Sequence, residues 1–301
     1  MGFIGRLGEA TTIEPVVTGH PELVDRLKVD AIGIQVVPPL FVDAELRHGR
    51  VVIKDGLITS RDALKQMQLP DPDDDRIFRS IEKLAERCSG DHALYARIRL
   101  GAAPTLLSMG ITAFSYGLAD DPDWVNDVLN CYCTWSARFS RNLSELPFDF
   151  FWCFDDIAFK SAPLFSRQVF QTFFLPNLRI ACSGIRKPWV FHSDGNLLPI
   201  MDDLVTLGMQ GLHPLEPGAM DLDQLKTSYG KRLCLIGNID IDTVLTKGTP
   251  EMVDQAVKER INQLGPGGGY IISDSNSVPD FCNPDNIILM ALAVERYRSI
   301  Y

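Results

Sequence analysis

The feature that most constrains the fold is a repeated alternation between short apolar runs and longer segments of helical periodicity. Such strands separated by helices are typical of a parallel sheet with crossover helices. The candidate strands are residues 29–37, 94–100, 148–154, 188–192, 211–214, 232–237 and 269–273. The sequence therefore predicts an α/β fold, and these strands approach the eight of a (β/α)8 TIM barrel.

The ends of three predicted helices are visible in the sequence. Thr249 is suited to the N-cap and Pro250 to the first helical position, and GPGGG at 265–269 ends this helix. A second helix covers 197–207 and ends at Gly208, and a third runs from 286 to about 298. The apolar face of the first helix is expected to consist of Met252, Val253, Val257, Ile261 and Leu264.

The chain is predicted to form one domain. Its 301 residues suit a single barrel, which needs roughly 250. No Ser/Gly linker divides it, and the acidic run LPDPDDD at 69–75 is interpreted as a loop. The expected domain is therefore 1–301, with 1–28 as an N-terminal extension.

Composition excludes several classes of partner. With 29 basic and 39 acidic side chains, the net charge of −10 would repel nucleic acid. The longest apolar run, 287–294, is far shorter than the ~20 residues of a membrane helix, and no signal peptide is recognised at the start. The seven cysteines are odd in number and lack a CxxC pair, which indicates free thiols. We therefore expect a cytoplasmic protein.

Polar side chains follow five of the predicted strands. In parallel α/β barrels the loops after the strands carry the chemistry, so these side chains predict an active site. They are Asp155 and Asp156; His192, Asp194 and Asn196; His213 and Glu216; Asn238 and Asp240; and Asp274 and Asn276.

Three of these residues are predicted to be catalytic, namely His192, Asp194 and Asp156. His192 and Asp194 are two positions apart, so an extended backbone turns both to the same side. Asp155 and Asp156 are adjacent and would face opposite ways, and we assign Asp156 to the site. Asn196 and Asp240 are equally well explained as helix N-caps.

The same residues carry a resemblance to a known superfamily. The runs FHSDGNLLPIMDDLVTLGMQGLHPLEP and GGGYIISDSNSVP, in this order, resemble the uroporphyrinogen decarboxylase superfamily from about Val29 to the end of the chain. The superfamily contains decarboxylases and cobalamin-linked methyltransferases on (β/α)8 barrels. The resemblance therefore implies that fold and one of these activities.

Two branches of the superfamily fit the chain less well. The decarboxylases carry an arginine-rich RQAGR-type segment near the N-terminus, where this chain reads MGFIGRLGEATT. The methylcobamide:thiol methyltransferases bind zinc with His-x-Cys and a later Cys. Here the matching positions read His192-Ser193-Asp194 and Asn276, so both sulfur ligands are missing.

The resemblance thus favours the methyltransferases of corrinoid-dependent O-demethylase systems. These move a methyl group from a phenyl methyl ether to cob(I)alamin on a separate corrinoid protein. His192, held by Asp194 or Asp156, would protonate the leaving oxygen; alternatively, a zinc ion on His192 and Asp194 would polarise it. The expected substrate-binding residues are Tyr116, Phe154, His213, Glu216, Asn238, Asp240 and Asn276.

Other functions stay open at this point. They are a uroporphyrinogen decarboxylase-type decarboxylase, a methylcobamide:thiol methyltransferase, and a barrel without chemistry that serves as a binding partner of the corrinoid protein. A homodimer is left open as well.

Overall fold

A computed structural model describes residues 4–18, 24, 26–88 and 90–299. The chain divides into two compact units. The first comprises Met1–Gly19, Ala31–Asp155 and Gln168–Pro188, and the second comprises His20–Asp30, Asp156–Arg167 and Trp189–Tyr301. The predicted α/β class is confirmed, and each of the seven predicted strands is present with fewer residues; the strand predicted at 94–100 begins one residue earlier.

The sheet of the first unit is mainly parallel. Strands β2 and β5 pair in parallel, as do β5 and β6, whereas β1 runs antiparallel to β2. These strands are β1 (Val16–Thr18), β2 (Ala31–Gln35), β5 (Ala93–Ile98) and β6 (Phe150–Phe154). Strand β5 alternates between half-buried and buried residues, as expected of a strand whose two faces differ.

A two-stranded antiparallel hairpin of β3 (Val42–Arg47) and β4 (Arg50–Gly56) was not predicted. Most of its residues are exposed, and its apolar run at 51–53 is short and flanked by charged residues, so it was not recognised as a strand. Its turn is formed by His48 and Gly49, both with positive φ, as tight hairpin turns require. In the sequence, the dipeptide His48-Gly49 was the signal that could have indicated this hairpin turn.

The helices of the first unit follow its strands. The long pair α3 and α4 begins after β5, and Asp121 caps α4 by accepting a hydrogen bond from Trp124 N. A π-helical turn at Phe170–Phe174 joins α5 and α6. The helices are α1 (Arg61–Lys65), α2 (Asp75–Cys88), α3 (Ala102–Asp120), α4 (Pro122–Leu143), α5 (Arg167–Val169, of which Arg167 belongs to the second unit) and α6 (Leu175–Cys182).

Asp155 anchors the start of α3. Its buried carboxylate accepts hydrogen bonds from the backbone N–H groups of Gly101, Ala102 and Ala103 at 2.8–3.1 Å. Burial raises the pKa of Asp155 to about 6, while the positive charge of Arg99 and these three amides act in the opposite direction. The side chain of Asp155 is therefore engaged in holding the start of α3.

Asp155→Ala is expected to lower the free energy of unfolding by about 2–4 kcal/mol, because it leaves three N–H groups at a helix start without their acceptor. Urea denaturation at pH 7.5 measures this. Asp91→Ala, at an exposed position of the same unit, is the control and should change the unfolding free energy by less than about 0.5 kcal/mol. A loss below 1 kcal/mol for Asp155→Ala would show that water replaces the carboxylate.

The second unit contains four parallel strands. Strand β7 pairs with β8, β8 with β9, and β9 with β10. The strands are β7 (Trp189–His192), β8 (Gly211–His213), β9 (Cys234–Ile236) and β10 (Tyr270–Ile271). Because they are parallel, their carboxyl ends lie at the same edge, and the loops that follow them are neighbours.

The helices of this unit confirm several predicted ends. Thr249 caps α9 through its side chain, and Gly208 ends the predicted 197–207 helix in the left-handed conformation. That helix consists of a 3-10 turn at Leu198–Ile200, α7 (Met201–Leu204) and another 3-10 turn at Val205–Leu207. The others are α8 (Leu222–Tyr229), a π-helical segment at Ile241–Thr246, α9 (Pro250–Leu264) and α10 (Pro284–Tyr297).

Two details of the predicted helices are wrong. Met252 was placed on the apolar face of α9, but it is 47% exposed, because it lies about 100° around the helix from Val253 and so points away from the buried face. Helix α10 begins two residues before the predicted start, with Asn283 as N-cap and Pro284 in the first turn.

The closed barrel and the single domain stay predictions. No helix in the described part of the chain has the length and apolarity to cross a membrane.

Candidate active site

Two histidines meet at the ends of neighbouring strands in the second unit. His192 ends β7 and His213 ends β8, and the strand register places them side by side. Their Nδ1 atoms lie 2.6 Å apart, the ring centroids are 4.8 Å apart with the planes 26° from parallel, so the rings meet edge to edge, and both side chains are buried. At this distance the two nitrogens must share one proton, since two N–H groups or two lone pairs would repel. Sequence reasoning named both residues but missed this pairing.

Two carboxylates surround the outer nitrogen of His192. Asp156 Oδ1 lies 3.6 Å from His192 Nε2 and accepts a hydrogen bond from the backbone N–H of Asp194 at 3.1 Å. One ligand atom from each of Asp156, His192 and Asp194 lies within 4.8 Å of the other two. The structure therefore brings together the three residues that the sequence predicted to be catalytic, and we call them the His192 cluster.

The side chain of Asp194 is held in an acidic environment. Burial and the charges of Asp156 and Glu216 raise the pKa of Asp194 to about 6, and a hydrogen bond donated by Asn276 Nδ2 at 2.6 Å opposes this shift. Its other oxygen, Oδ1, is buried and has no hydrogen-bond partner among the described residues. A buried carboxylate oxygen without a partner is suited to a ligand that brings a proton or a positive charge.

The loop after β7 is shaped by Gly195. Its φ of +88° is in the left-handed region, and a Cβ at this position would lie 2.4 Å from the carbonyl oxygen of Phe159. Its N–H donates to Glu216 Oε2 at 2.9 Å. Ser193 supports the same loop, because its hydroxyl accepts the backbone N–H of Ile157 at 3.1 Å. These contacts fix the direction in which Asp194 leaves the loop.

The His192 cluster fits a divalent cation bound by nitrogen and oxygen. Zinc bonds to imidazole and carboxylate are about 2.0–2.2 Å long, so small side-chain movements would bring ligand atoms within 4.8 Å onto one ion. No sulfur belongs to the cluster, in contrast to the thiolate sites of the thiol methyltransferases. His213 would hold the ring of His192, as outer partners do for metal-binding histidines.

Asn238 and Asp240, which were predicted to bind the substrate, line a cavity of about 400 Å³ together with Glu259 and Arg260. Asn238 donates from Nδ2 to the carbonyl oxygen of Leu215 at 2.6 Å, and Asp240 caps the π-helical segment through the N–H of Thr243. No residue of the His192 cluster lines this cavity. For Asp240, the N-cap interpretation describes what the side chain does. Asn196 is not the N-cap of the 3-10 turn at Leu198–Ile200, which is Leu197, but its side chain accepts the N–H of Leu198 just before that turn.

The predicted aromatic residues belong to the first unit. Tyr116 is 68% exposed on α3, whereas Phe154 is buried at the end of β6. The guanidinium groups of Arg97 and Arg99 lie 4.9 and 4.4 Å from the centre of the Phe154 ring. Sequence reasoning missed both arginines, although their alternation with apolar residues in a predicted strand was a visible signal.

The fold is parallel α/β, and the His192 cluster lies where the strands end and their loops begin. This is the arrangement of an α/β enzyme. The chain belongs to the uroporphyrinogen decarboxylase (URO-D) family, which residues 25–297 match.

Solved structures are similar to this chain at low sequence identity. A methyltransferase from Methanosarcina mazei is 16% identical with a TM-score of 0.71, over 92% of this chain and 83% of that one. A B12-independent methionine synthase from Shewanella sp. W3-18-1, in complex with selenomethionine, is 12% identical with a TM-score of 0.48, over 95% and 74%. No curated protein matches the chain. The first similarity shows a common fold.

Proposed function

We propose that this protein transfers a methyl group from a phenyl methyl ether to cob(I)alamin carried by a separate corrinoid protein. The observation that carries the proposal is the His192 cluster, which offers nitrogen and oxygen and no sulfur. A thiol acceptor calls for a thiolate-rich zinc site, whereas an ether oxygen calls for a proton or a hard cation. Methyl transfer also agrees with the activity of the M. mazei methyltransferase, whose fold this chain shares.

The reaction poses one main problem, which is the leaving group. Cobalt(I) attacks the methyl carbon, a Co–C bond forms, and the C–O bond breaks with its electron pair on oxygen. A phenolate leaves more readily when a proton or a cation stabilises that oxygen. We propose that the ether oxygen lies against His192 Nε2 and the carboxyl group of Asp194. The proposal includes the closed (β/α)8 barrel expected of the superfamily.

The residues of this chain contribute position and charge. His213 orients His192 through the shared Nδ1 proton, and Asp156 favours a positive charge at His192 Nε2. Asn276 fixes one oxygen of Asp194 and leaves the other for the ligand. A divalent cation bound by His192, Asp194 and Asp156 would supply Lewis acidity toward the ether oxygen.

The test is a spectroscopic assay of cob(I)alamin methylation with a panel of methoxylated aromatics, guaiacol among them. We expect conversion of the cob(I)alamin spectrum to that of methylcobalamin, with one free phenol released for each methyl group. No conversion with any member of the panel, with and without added zinc, would overturn the proposal.

Decarboxylation is the second candidate, because the family to which the chain belongs is described by that activity. It predicts release of CO₂ from uroporphyrinogen in the absence of cobalamin. Parallel assays with uroporphyrinogen and with a thiol acceptor therefore distinguish the three chemistries. If all three assays are negative, the barrel that binds the corrinoid protein without chemistry becomes the better description.

A further inference from the structure

One face of the first unit's sheet combines aromatic rings with two cations. Strand register pairs Tyr95 of β5 with Phe150 of β6, and Arg97 with Trp152. Because side chains alternate along a strand, these four residues share a face. The opposite face carries fully apolar, buried side chains, namely Leu94, Ala96, Ile98, Phe151 and Cys153. The face with Arg97 is therefore distinct in its chemistry, and we call it the Arg97 face.

Arg97 is the notable residue of this face. Its guanidinium lies over Phe154, and within the described ranges no carboxylate forms an ion pair with it. Burial lowers the pKa of Arg97, and the neighbouring Tyr95 acts in the opposite direction. Arg99 differs, because the charge of Asp155 already acts on it. A half-buried guanidinium without an anion is costly, and a bound anion would remove that cost.

The rings beside Arg97 give this face an apolar surface. Tyr95 stacks on Phe150 with centroids 5.1 Å apart at 18°, and Trp152 lies 5.5 Å from Tyr95. All three rings are half-buried. Gly33 leaves room for Tyr95, since a Cβ there would lie 2.7 Å from its ring. Such a surface binds a planar aromatic ring better than a small, fully hydrated anion.

We propose that the Arg97 face binds an aromatic carboxylate, with the guanidinium of Arg97 on the carboxylate and the ring of the ligand against the aromatic side chains. Arginine presents paired N–H donors that match the two oxygens of a carboxylate. In a protein with a net charge of −10, such a cationic face selects its ligand by charge. Binding of an aromatic carboxylate at this face of the first unit goes beyond the proposed function and does not require turnover.

The experiment compares two ligands of the same shape by equilibrium binding to the full-length protein at 50 mM salt. 4-Methoxybenzoate carries the charge, and 4-methoxybenzyl alcohol does not. We expect the carboxylate to bind about tenfold more tightly or better, as removal of a charge-assisted pair implies. Acetate should bind far more weakly than either aromatic compound. Equal affinities of the two aromatic ligands would overturn the proposal without the use of any variant.

Variants then assign the effect to one residue. Arg97→Gln is expected to reduce the affinity for 4-methoxybenzoate about tenfold and to leave the affinity for the neutral analogue unchanged. The affinity of Arg97→Lys for 4-methoxybenzoate should lie between those of Arg97→Gln and the unmodified protein. Arg79→Gln removes an exposed arginine of the same unit and should change neither affinity. If Arg97→Gln and Arg79→Gln behave alike, the carboxylate binds elsewhere and the inference is wrong.

The outcomes separate this inference from the proposed function. Selective binding of 4-methoxybenzoate that depends on Arg97 would support the Arg97 face, whether or not any methoxylated aromatic is demethylated. Methyl transfer from guaiacol together with equal affinities for the two aromatic ligands would keep the methyltransferase proposal and overturn the inference.

Discussion

Asp194→Asn is expected to lower the rate of cob(I)alamin methylation by about 10²–10⁴-fold. The substitution keeps the size of the side chain and an oxygen for Asn276, but it removes the charge and the acidic proton beside His192. Proton donation to a leaving group is typically worth this factor, and a lost cation ligand would cost at least as much. Initial rates with saturating methyl donor provide the measurement.

The matched control is Asp242→Asn, the same change at an exposed carboxylate of the second unit that pairs with Lys247. It should retain the full rate. His192→Ala should match the loss seen for Asp194→Asn, and the double variant should lose little more, because residues that act on one oxygen are not additive. A rate within threefold of the unmodified protein for Asp194→Asn would place the chemistry elsewhere.

His213→Leu is expected to lower kcat about 10–100-fold while the KM for the methyl donor changes little. Leucine fills much of the space of the ring but removes the Nδ1 contact that orients His192. Outer partners of a functional histidine typically contribute this factor. His213 is thus a positioning residue, and its effect acts through His192.

His213→Asn distinguishes this role from simple packing. Its side-chain amide reaches the position of Nδ1, so it can restore a hydrogen bond to His192, and we expect it to recover most of kcat. Urea denaturation of both variants shows whether stability differs. If Asn and Leu give the same kcat, the His192–His213 contact does not orient the reacting group.

The strands of the second unit were predictable because each is short, apolar and followed by a polar loop. Thr249 and Gly208 marked helix ends correctly, since capping depends on a few consecutive residues. Met252 was misplaced because it is apolar but lies about 100° around α9 from Val253 and the buried face. The β3–β4 hairpin was missed because its strands are exposed and its apolar run at 51–53 is short and flanked by charged residues.

Local spacing also predicted that His192 and Asp194 belong to one site, because side chains two residues apart on an extended chain point to the same side. Spacing could not pair His192 with His213, which lie 21 residues apart and meet only through the register of β7 and β8. It could not show that Arg97 stacks on Phe154, since that contact depends on the pairing of β5 with β6.

By itself the sequence determined the α/β class, the strands and the polar loops that follow them, because apolar periodicity and capping act over a few neighbouring residues. The tertiary structure alone decided which of those polar groups share a proton, which repel, and which act only as caps. Hydrogen bonds and charges depend on distances of a few ångströms, and such distances between residues far apart in the chain are set by strand pairing and packing.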